Sequence, residues 1–301
     1  MKATETADVP RAIQWREYLE LTKPKVVLLL VFTAIVGMFL STPGMLPLQE
    51  FLFGTLGIGL ASASAAAINH VVDRRADAEM ARTRNRPLPK GSLSTTECLT
   101  FALLLGAVAM AILVWLVNPL TAALTFASLI GYAVVYTMYL KRATPQNIVI
   151  GGLAGAMPPV LGWAAITGAV TAESLLLALI IYVWTPPHFW ALAIHRKAEY
   201  ARVDIPMLPV THGENFTRLH VLLYTVLLLV VSVLPYLIGM SGPLYLAVAL
   251  LAGGGFLWHA VLMMDPQRSR QPIKTFVFSI NYLMALFAAL LVDHYLPLLF
   301  G

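Results

Sequence analysis

The stretch AAAINHVVDRRAD, residues 65–77, ends a long apolar run with three regularly spaced polar residues. Asn69, Asp73 and Asp77 are four residues apart, so in a helix they stack on one face over two turns. Two carboxylates this close repel each other unless positive charge lies between them, and such oxygen ligands suit Mg²⁺ that holds a phosphate. We therefore predict that these three residues are catalytic and bind metal, in preference to the alternative of a solvated helix end. Five arginines follow, which suits an anionic substrate: Arg74, Arg75, Arg82, Arg84 and Arg86.

The composition is that of a polytopic membrane protein. Of the 301 residues, 59% are hydrophobic and 12% are charged, and the mean hydropathy is +0.78. Soluble globular domains of this size do not have such a composition. The single cysteine, Cys98, excludes an internal disulfide framework and metal–thiolate clusters. The first 25 residues lack the pattern of a cleaved signal peptide, so we expect the first span to direct insertion.

Apolar runs of about 20 residues predict nine transmembrane helices. The 20 lysines and arginines all fall in the N-terminal tail or in alternate connections, at 73–98, 141–146, 196–218 and 265–274. The positive-inside rule places these segments and the N-terminus in the cytoplasm, and this placement argues against a nucleic-acid partner. The fold class is therefore an all-α polytopic membrane helical bundle with its N-terminus cytoplasmic. The predicted spans lie near 25–42, 51–72, 99–117, 119–140, 147–167, 174–195, 219–239, 244–264 and 275–296.

The two long basic connections resemble each other. DRRAD at 73–77 corresponds to HRKAE at 195–199, and each segment follows an even-numbered span. We interpret the chain as one membrane domain, 1–301, with two pseudo-repeats at about 20–140 and 145–265 and a final span at about 275–296. Chance similarity between basic loops is the alternative. The second copy differs in chemistry, because His188, His195 and Glu199 are predicted to share a helical face there.

Several basic, aromatic and amide residues are candidates for substrate contact. Lys23 precedes Pro24 at the start of the first span, where it is either a positive anchor or a contact to a diphosphate. Tyr132, Tyr136 and Tyr139 occur at helical spacing, which is typical of an aromatic belt, but a polar turn and two glycines follow them. From these patterns we predict substrate contacts by Lys23, Arg82, Arg86, Tyr136, Tyr139, Lys141, Arg142 and Asn147.

Two adjacent prolines, Pro186 and Pro187, interrupt the sixth predicted span beside His188. Because proline frees backbone carbonyls, we expect a kink that only neighbouring groups or a cavity can satisfy. His188 is either a satisfied buried histidine or a functional one, and we predict a catalytic role. His212, in a loop, is either solvated or in contact with substrate. The predicted substrate contacts of this half are His195, Glu199 and His212.

Three motifs together resemble the intramembrane aromatic prenyltransferase superfamily. They are N-x₃-D-x₃-D at 69–77, KRATPQNIVIGG at 141–152 and PPHFWALAIHR at 186–196. The last two are similar to the haem branch of this superfamily, and the resemblance covers nearly the whole chain. It implies nine spans around a central cavity that opens to the lipid bilayer and is capped on the cytoplasmic side. Quinone-type members carry a second aspartate cluster where this chain has histidines, which can approach haem iron or a propionate.

The resemblance also implies an activity. Farnesyl diphosphate would donate its farnesyl group to a vinyl group of haem B. Mg²⁺ and the diphosphate would be held by Asn69, Asp73 and Asp77, here called the polar trio, and by three basic residues, Arg82, Lys141 and Arg142. His188 or His212 would orient a water molecule or ligate the iron. The aromatic faces expected beside the farnesyl cation are Tyr136, Tyr139 and Trp190.

Other functions and partners stay open at this point. A prenyltransferase for a quinone precursor and a membrane transporter are the two rival functions, although transporters tend to place ionisable residues near mid-membrane. We expect residence in the bacterial cytoplasmic (inner) membrane with the active site on the cytoplasmic side. The resemblance leaves open whether haem arrives through a partner such as haem A synthase or a terminal-oxidase assembly protein.

Overall fold

The computed structural model describes residues 15–300, with side chains described as far as Leu296, and its regular structure in that range is helical. Residues 1–14, with Lys2 and Arg11, lie outside the described residues. The helices are α1 (Trp15–Leu21), α2 (Pro24–Leu40), α3 (Leu48–Glu79), α4 (Pro87–Lys90), α5 (Thr95–Leu116), α6 (Pro119–Ile130), a π-helical segment (Gly131–Leu140), α7 (Lys141–Ala143), α8 (Asn147–Ala156), α9 (Pro158–Thr167), α10 (Ala172–His195), α11 (Lys197–Arg202), α12 (Leu208–Thr211), α13 (Glu214–Leu237), α14 (Pro243–Met263) and α15 (Gln271–Phe300).

The predicted membrane bundle is confirmed. Over residues 15–300, 8 helical segments are long and apolar enough to cross a membrane, and α1 with α2, bent by 55°, provides a ninth span if the pair is counted as one. The second predicted span is longer than expected, because α3 continues to Glu79 through the polar trio. The reason lies in the surroundings of the trio, which supply partners for its side chains.

The sixth span is continuous, so the prediction that Pro186 and Pro187 interrupt it is wrong. The α10 helix runs from Ala172 to His195 with both prolines inside it, and both are buried. The fixed φ of proline is compatible with a helix, and packing on every side holds the segment where two backbone N–H groups are missing. The Thr185 hydroxyl donates to the carbonyl of Ile181 at 2.8 Å.

Two glycines bring the backbones of α2 and α9 into direct contact. A Cβ atom at Gly37 would overlap the carbonyl oxygen of Pro159, and one at Gly162 would overlap that of Ala34. Membrane helices pack closely where small residues face each other, because dispersion contacts replace the hydrophobic effect there. This contact fixes α2, and with it the break before Pro24 that carries Lys23.

We predict that Gly162→Ala destabilises the protein, because its methyl group has no space against α2. The expected cost is about 1–3 kcal/mol, the range for overpacking in a filled interior. The measurement is the midpoint of thermal unfolding of the purified protein in detergent. Gly155→Ala on α8 is the matched control, because nothing lies within 4 Å of a Cβ added there. Equal midpoints for the two variants would contradict the close α2–α9 contact.

Candidate active site

The polar trio lies buried near the end of α3. This helix has 32 residues, which at about 1.5 Å per residue is longer than a hydrocarbon core of roughly 30 Å. Asn69, Asp73 and Asp77 are 4%, 4% and 5% exposed. The Asn69 amide donates to Asp73 Oδ2 at 2.9 Å, which confirms that they share a face. A solvated helix end does not fit this burial.

Each carboxylate of the trio forms an ion pair with a cation from another segment. Lys141 Nζ lies 2.5 Å from Asp73 Oδ2, and Arg86 Nη1 lies 2.6 Å from Asp77 Oδ2. Lys141 follows the π-helical segment, whereas Arg86 belongs to the turn after α3. The cations oppose the repulsion between two carboxylates that are one helical turn apart.

A third cation comes from the break between α1 and α2. Lys23 has φ 49°, in the left-handed region that residues other than glycine rarely adopt. Its ammonium group donates to the side-chain oxygen of Asn69. Of the basic residues predicted to contact substrate, Lys23, Arg86 and Lys141 therefore lie around the trio.

The carboxylates of the trio offer the oxygen ligands expected for a divalent cation whose coordination is completed by a bound substrate. Asp73 Oδ1 is buried and has no hydrogen-bond partner among the described residues. In residues 15–300, no three His, Cys, Asp or Glu side chains come together as a complete metal site. Protein sites for Mg²⁺ commonly use one or two carboxylates and take further oxygens from phosphates. Asp73 and Asp77, with the amide of Asn69, fit that pattern.

The π-helical segment brings Thr137 to the trio, a contact that the sequence did not predict. The Thr137 hydroxyl donates to the carbonyl of Tyr132, five residues back, at 2.8 Å. It accepts from the Asn69 amide at 3.2 Å. The i to i+5 spacing is that of a π-helix. No feature of the sequence indicates a π-helical register, so the contact of Thr137 with the trio could not be predicted.

The same π-helical register separates the three tyrosines. The expectation from their helical spacing, that Tyr132, Tyr136 and Tyr139 share a face, is therefore wrong. Tyr139 is 72% exposed on the outside of the bundle. Tyr136 stays half-buried, and its ring is 5.6 Å from that of Tyr132. It packs against Gly151, where a Cβ atom would overlap the ring. Only Tyr132 and Tyr136 therefore remain on the inner side.

Asn147 supports the site from outside it. Its buried amide donates to the carbonyl of Thr144 at 2.8 Å and to that of Lys141 at 3.4 Å. It thus holds the turn that carries Lys141. Arg142, the next residue, is exposed, and so is Arg82 in the turn after α3.

The second long basic connection, residues 196–218, begins beside the end of α3. Ala76, between the two aspartates, packs in one apolar cluster with Ile194 and Tyr200. Burial raises the pKa of the Tyr200 hydroxyl, and Asp73 acts in the same direction, so α11 lies within electrostatic range of the trio. Glu199 pairs with Arg196 at 2.5 Å, and its Oε2 is buried without a partner among the described residues. Glu199 is therefore the member of this segment best placed to meet a ligand.

The predicted helical face of His188, His195 and Glu199 is wrong. The α10 helix ends at His195, and Arg196 breaks the path before α11. His195 is exposed, whereas His188 lies inside the bundle against α15. His212 is also exposed, and its ring bonds to the neighbouring Thr211 hydroxyl at 2.8 Å.

Two other buried residues lie near the trio. Trp190 packs against Tyr224, with ring centroids 5.3 Å apart, in the same apolar cluster as Ala76. Its role as an aromatic face beside the farnesyl cation stays a prediction. His70, which the sequence analysis missed, is 2% exposed, and neither ring nitrogen has a partner within the described chain. The charges of Lys23 and Arg86 act on its ring, so it borders the same cluster.

Two known proteins with similar sequences carry the same name. The protein called Protoheme IX farnesyltransferase from Azotobacter vinelandii is 63% identical over 284 residues, which are 94% of this chain and 95% of the relative. The protein of the same name from Methylococcus capsulatus is 61% identical over 286 residues, 95% of this chain and 96% of the relative.

Solved structures share the fold at much lower identity. A digeranylgeranylglyceryl phosphate synthase matches with a TM-score of 0.77 and 18% identity, over 93% of this chain and 98% of that one. A UbiA homologue from Archaeoglobus fulgidus bound to GPP and Mg²⁺ matches with a TM-score of 0.63 and 16% identity, over 91% and 99%. Residues 30–289 match the UbiA prenyltransferase family. The chain therefore belongs to the UbiA prenyltransferase family.

Proposed function

We propose that this protein is an integral membrane enzyme that farnesylates haem B to haem O. The observation that carries the proposal is the identity of 61% or more, over nearly full length, to relatives named protoheme IX farnesyltransferase. The buried trio with its three cations supports it, because an allylic diphosphate needs positive charge where its leaving group departs. The solved neighbours share the fold alone, so they do not bear on the acceptor.

The donor site is the cationic cluster around α3. Lys23, Arg86 and Lys141 are the groups we assign to the diphosphate oxygens, since each already meets an oxygen of the trio. When bound, Mg²⁺ held by Asp73 and Asp77 with the amide of Asn69 would supply further positive charge to the leaving diphosphate.

The reaction begins with cleavage of the bond between C1 of the farnesyl group and the diphosphate oxygen. The electron pair leaves with the diphosphate, whose added charge Lys23, Arg86 and Lys141 offset. The allylic cation needs a site without water. Tyr132 and Tyr136, with rings 5.6 Å apart on the inner side, offer aromatic faces near the trio.

Bond formation with the porphyrin and addition of water complete the reaction. The terminal carbon of a vinyl group bonds to C1 of the farnesyl cation, and the positive charge moves to the vinyl carbon beside the ring. Water adds there and loses a proton, which gives a hydroxyethylfarnesyl group. Haem B, farnesyl diphosphate and one water thus become haem O and diphosphate.

The distribution of basic residues supports a cytoplasmic location for the active site. The trio and its cations lie at the end of α3 that leads into a basic connection. By the positive-inside rule we place this end at the cytoplasmic face of a bacterial inner membrane. Haem A synthase and terminal-oxidase assembly proteins are the partners we propose for haem transfer.

The proposed activity predicts formation of haem O by the purified protein in lipid vesicles. Haem B, farnesyl diphosphate and Mg²⁺ are supplied, and haem products and released diphosphate are quantified by mass spectrometry and a coupled assay. Equal amounts of the two products are expected. Prenylation of a quinone precursor in place of haem, or solute uptake without diphosphate release, would support the rival functions and contradict this one.

Asp73→Asn is expected to lower turnover by about 100-fold or more, a magnitude typical for loss of one electrostatic group at a leaving charge. The amide keeps the size of the side chain but lacks the charge that holds a divalent cation. Initial rates are measured over a range of Mg²⁺ concentrations. Asp265→Asn, an exposed carboxylate on another basic connection, is the control and should retain wild-type rates. Undiminished turnover of Asp73→Asn would overturn the metal assignment.

Two neighbouring cations give a matched test of the diphosphate contact. Lys141→Met removes the partner of Asp73, whereas Arg142→Met removes an exposed charge one residue away. We expect roughly a 100-fold loss of turnover in the first variant and little change in the second. Rates are normalised to protein that elutes as a monodisperse peak. Equal effects in both variants would show that Lys141 has no specific role.

A further inference from the structure

The His188 ring is enclosed by aromatic side chains between α10 and α15. It stacks on Trp184 with centroids 4.1 Å apart at 20°, and on Phe276 at 4.5 Å and 28°. Phe189 meets it edge-on at 4.9 Å. Only 7% of the residue is exposed. Both faces of the imidazole are therefore covered, and only the edge of the ring can meet a ligand.

The hydrogen bonds of Ser279 determine which ring nitrogen carries the proton. The Ser279 hydroxyl lies 2.6 Å from His188 Nδ1 and 2.6 Å from the carbonyl oxygen of Phe276. A carbonyl only accepts, so the single hydroxyl proton is used on Phe276. The hydrogen bond to the histidine then requires a proton on Nδ1. Nε2 is left as the nitrogen with the lone pair.

Ser279 also holds the stacked tryptophan. Its main-chain carbonyl accepts from Trp184 Nε1 at 2.7 Å, and the residue is fully buried. One residue of α15 thus fixes both the position of the stack and the tautomer of the imidazole. Such an arrangement is typical of a ligating histidine, whose second nitrogen donates to a neighbouring group.

His188 Nε2 is available to a ligand. It has no hydrogen-bond partner among the described residues. The other histidines differ. His195 and His212 are exposed, and the ring nitrogens of His70 are both unpaired beside two cations. The remaining three bond to protein groups: His220, His259 and His294.

From this geometry we infer that His188 Nε2 is an axial ligand of the haem iron and that Ser279 is the positioning residue that presents it. The inference rests on the proposed function, since haem is the substrate there. A neutral imidazole nitrogen is a common iron ligand. The flanking aromatic rings suit a porphyrin, which is itself a large apolar plane. Ligation through His188 would hold the porphyrin while its vinyl group meets the farnesyl cation.

The test is resonance Raman spectroscopy of the full-length protein in detergent, loaded with haem B and reduced. We expect an iron–histidine stretching band that shifts when the protein is labelled with ¹⁵N-histidine. His188→Ala should lose the band, and added imidazole should restore iron–imidazole ligation in that variant. His195→Ala and His212→Ala are controls that should keep the wild-type spectrum.

Ser279 is tested by a pair of variants. Ser279→Ala should weaken haem binding by about 10- to 100-fold, as expected for loss of a group that orients a ligating histidine, and should shift the band. Ser279→Thr keeps the hydroxyl and should restore both. The same behaviour in both variants would remove the assigned role of Ser279.

The outcomes separate this inference from the proposed function. A wild-type protein that makes haem O, with a His188→Ala spectrum that matches it, overturns the iron ligand alone. A wild-type protein that neither binds haem nor makes haem O overturns the proposed function and this inference together. Loss of the band in His188→Ala, with rescue by imidazole, supports the ligand.

Discussion

The ion pairs of Asp73 with Lys141 and of Asp77 with Arg86 are the interactions that organise this end of the bundle. A charge buried without a partner costs several kcal/mol, so the α3 helix can carry two carboxylates here only if other segments deliver cations. The residue after the π-helical segment, Lys141, and the turn after α3 do so. The charges that stabilise the protein itself are thus the ones that a diphosphate can use, and the structural and chemical requirements coincide.

The two halves of the proposed reaction require opposite surroundings. A leaving diphosphate needs cations, and these gather at the end of α3 around buried oxygens. The His188 site between α10 and α15 consists of aromatic rings and one serine, which suits a porphyrin. The fold thus supplies two distinct environments from different helices.

The membrane bundle and the polar cluster on one face of α3 could be predicted well from the sequence. The i, i+4, i+8 spacing of Asn69, Asp73 and Asp77 survives because α3 is a regular helix, and the structure brings Lys23, Arg86 and Lys141 to them. The helical face from His188 to Glu199 was predicted wrongly. Helical periodicity was extended from His188 through Glu199, but the chain leaves the helix at Arg196. The tyrosine face failed for a related reason, since a π-helical register moves Tyr139 outward.

The sequence by itself determined that this is a membrane bundle with a carboxylate site at its basic end. The length of an apolar run, the placement of charge and i, i+4 spacing are local properties of the sequence. In a bilayer they determine the membrane spans, their orientation and the residues that share a helical face. Only the tertiary structure decided which cation meets which oxygen, how Thr137 reaches Asn69, and which nitrogen of His188 remains free. These depend on contacts between residues far apart in the chain, where the register of one helix against another has no local signature.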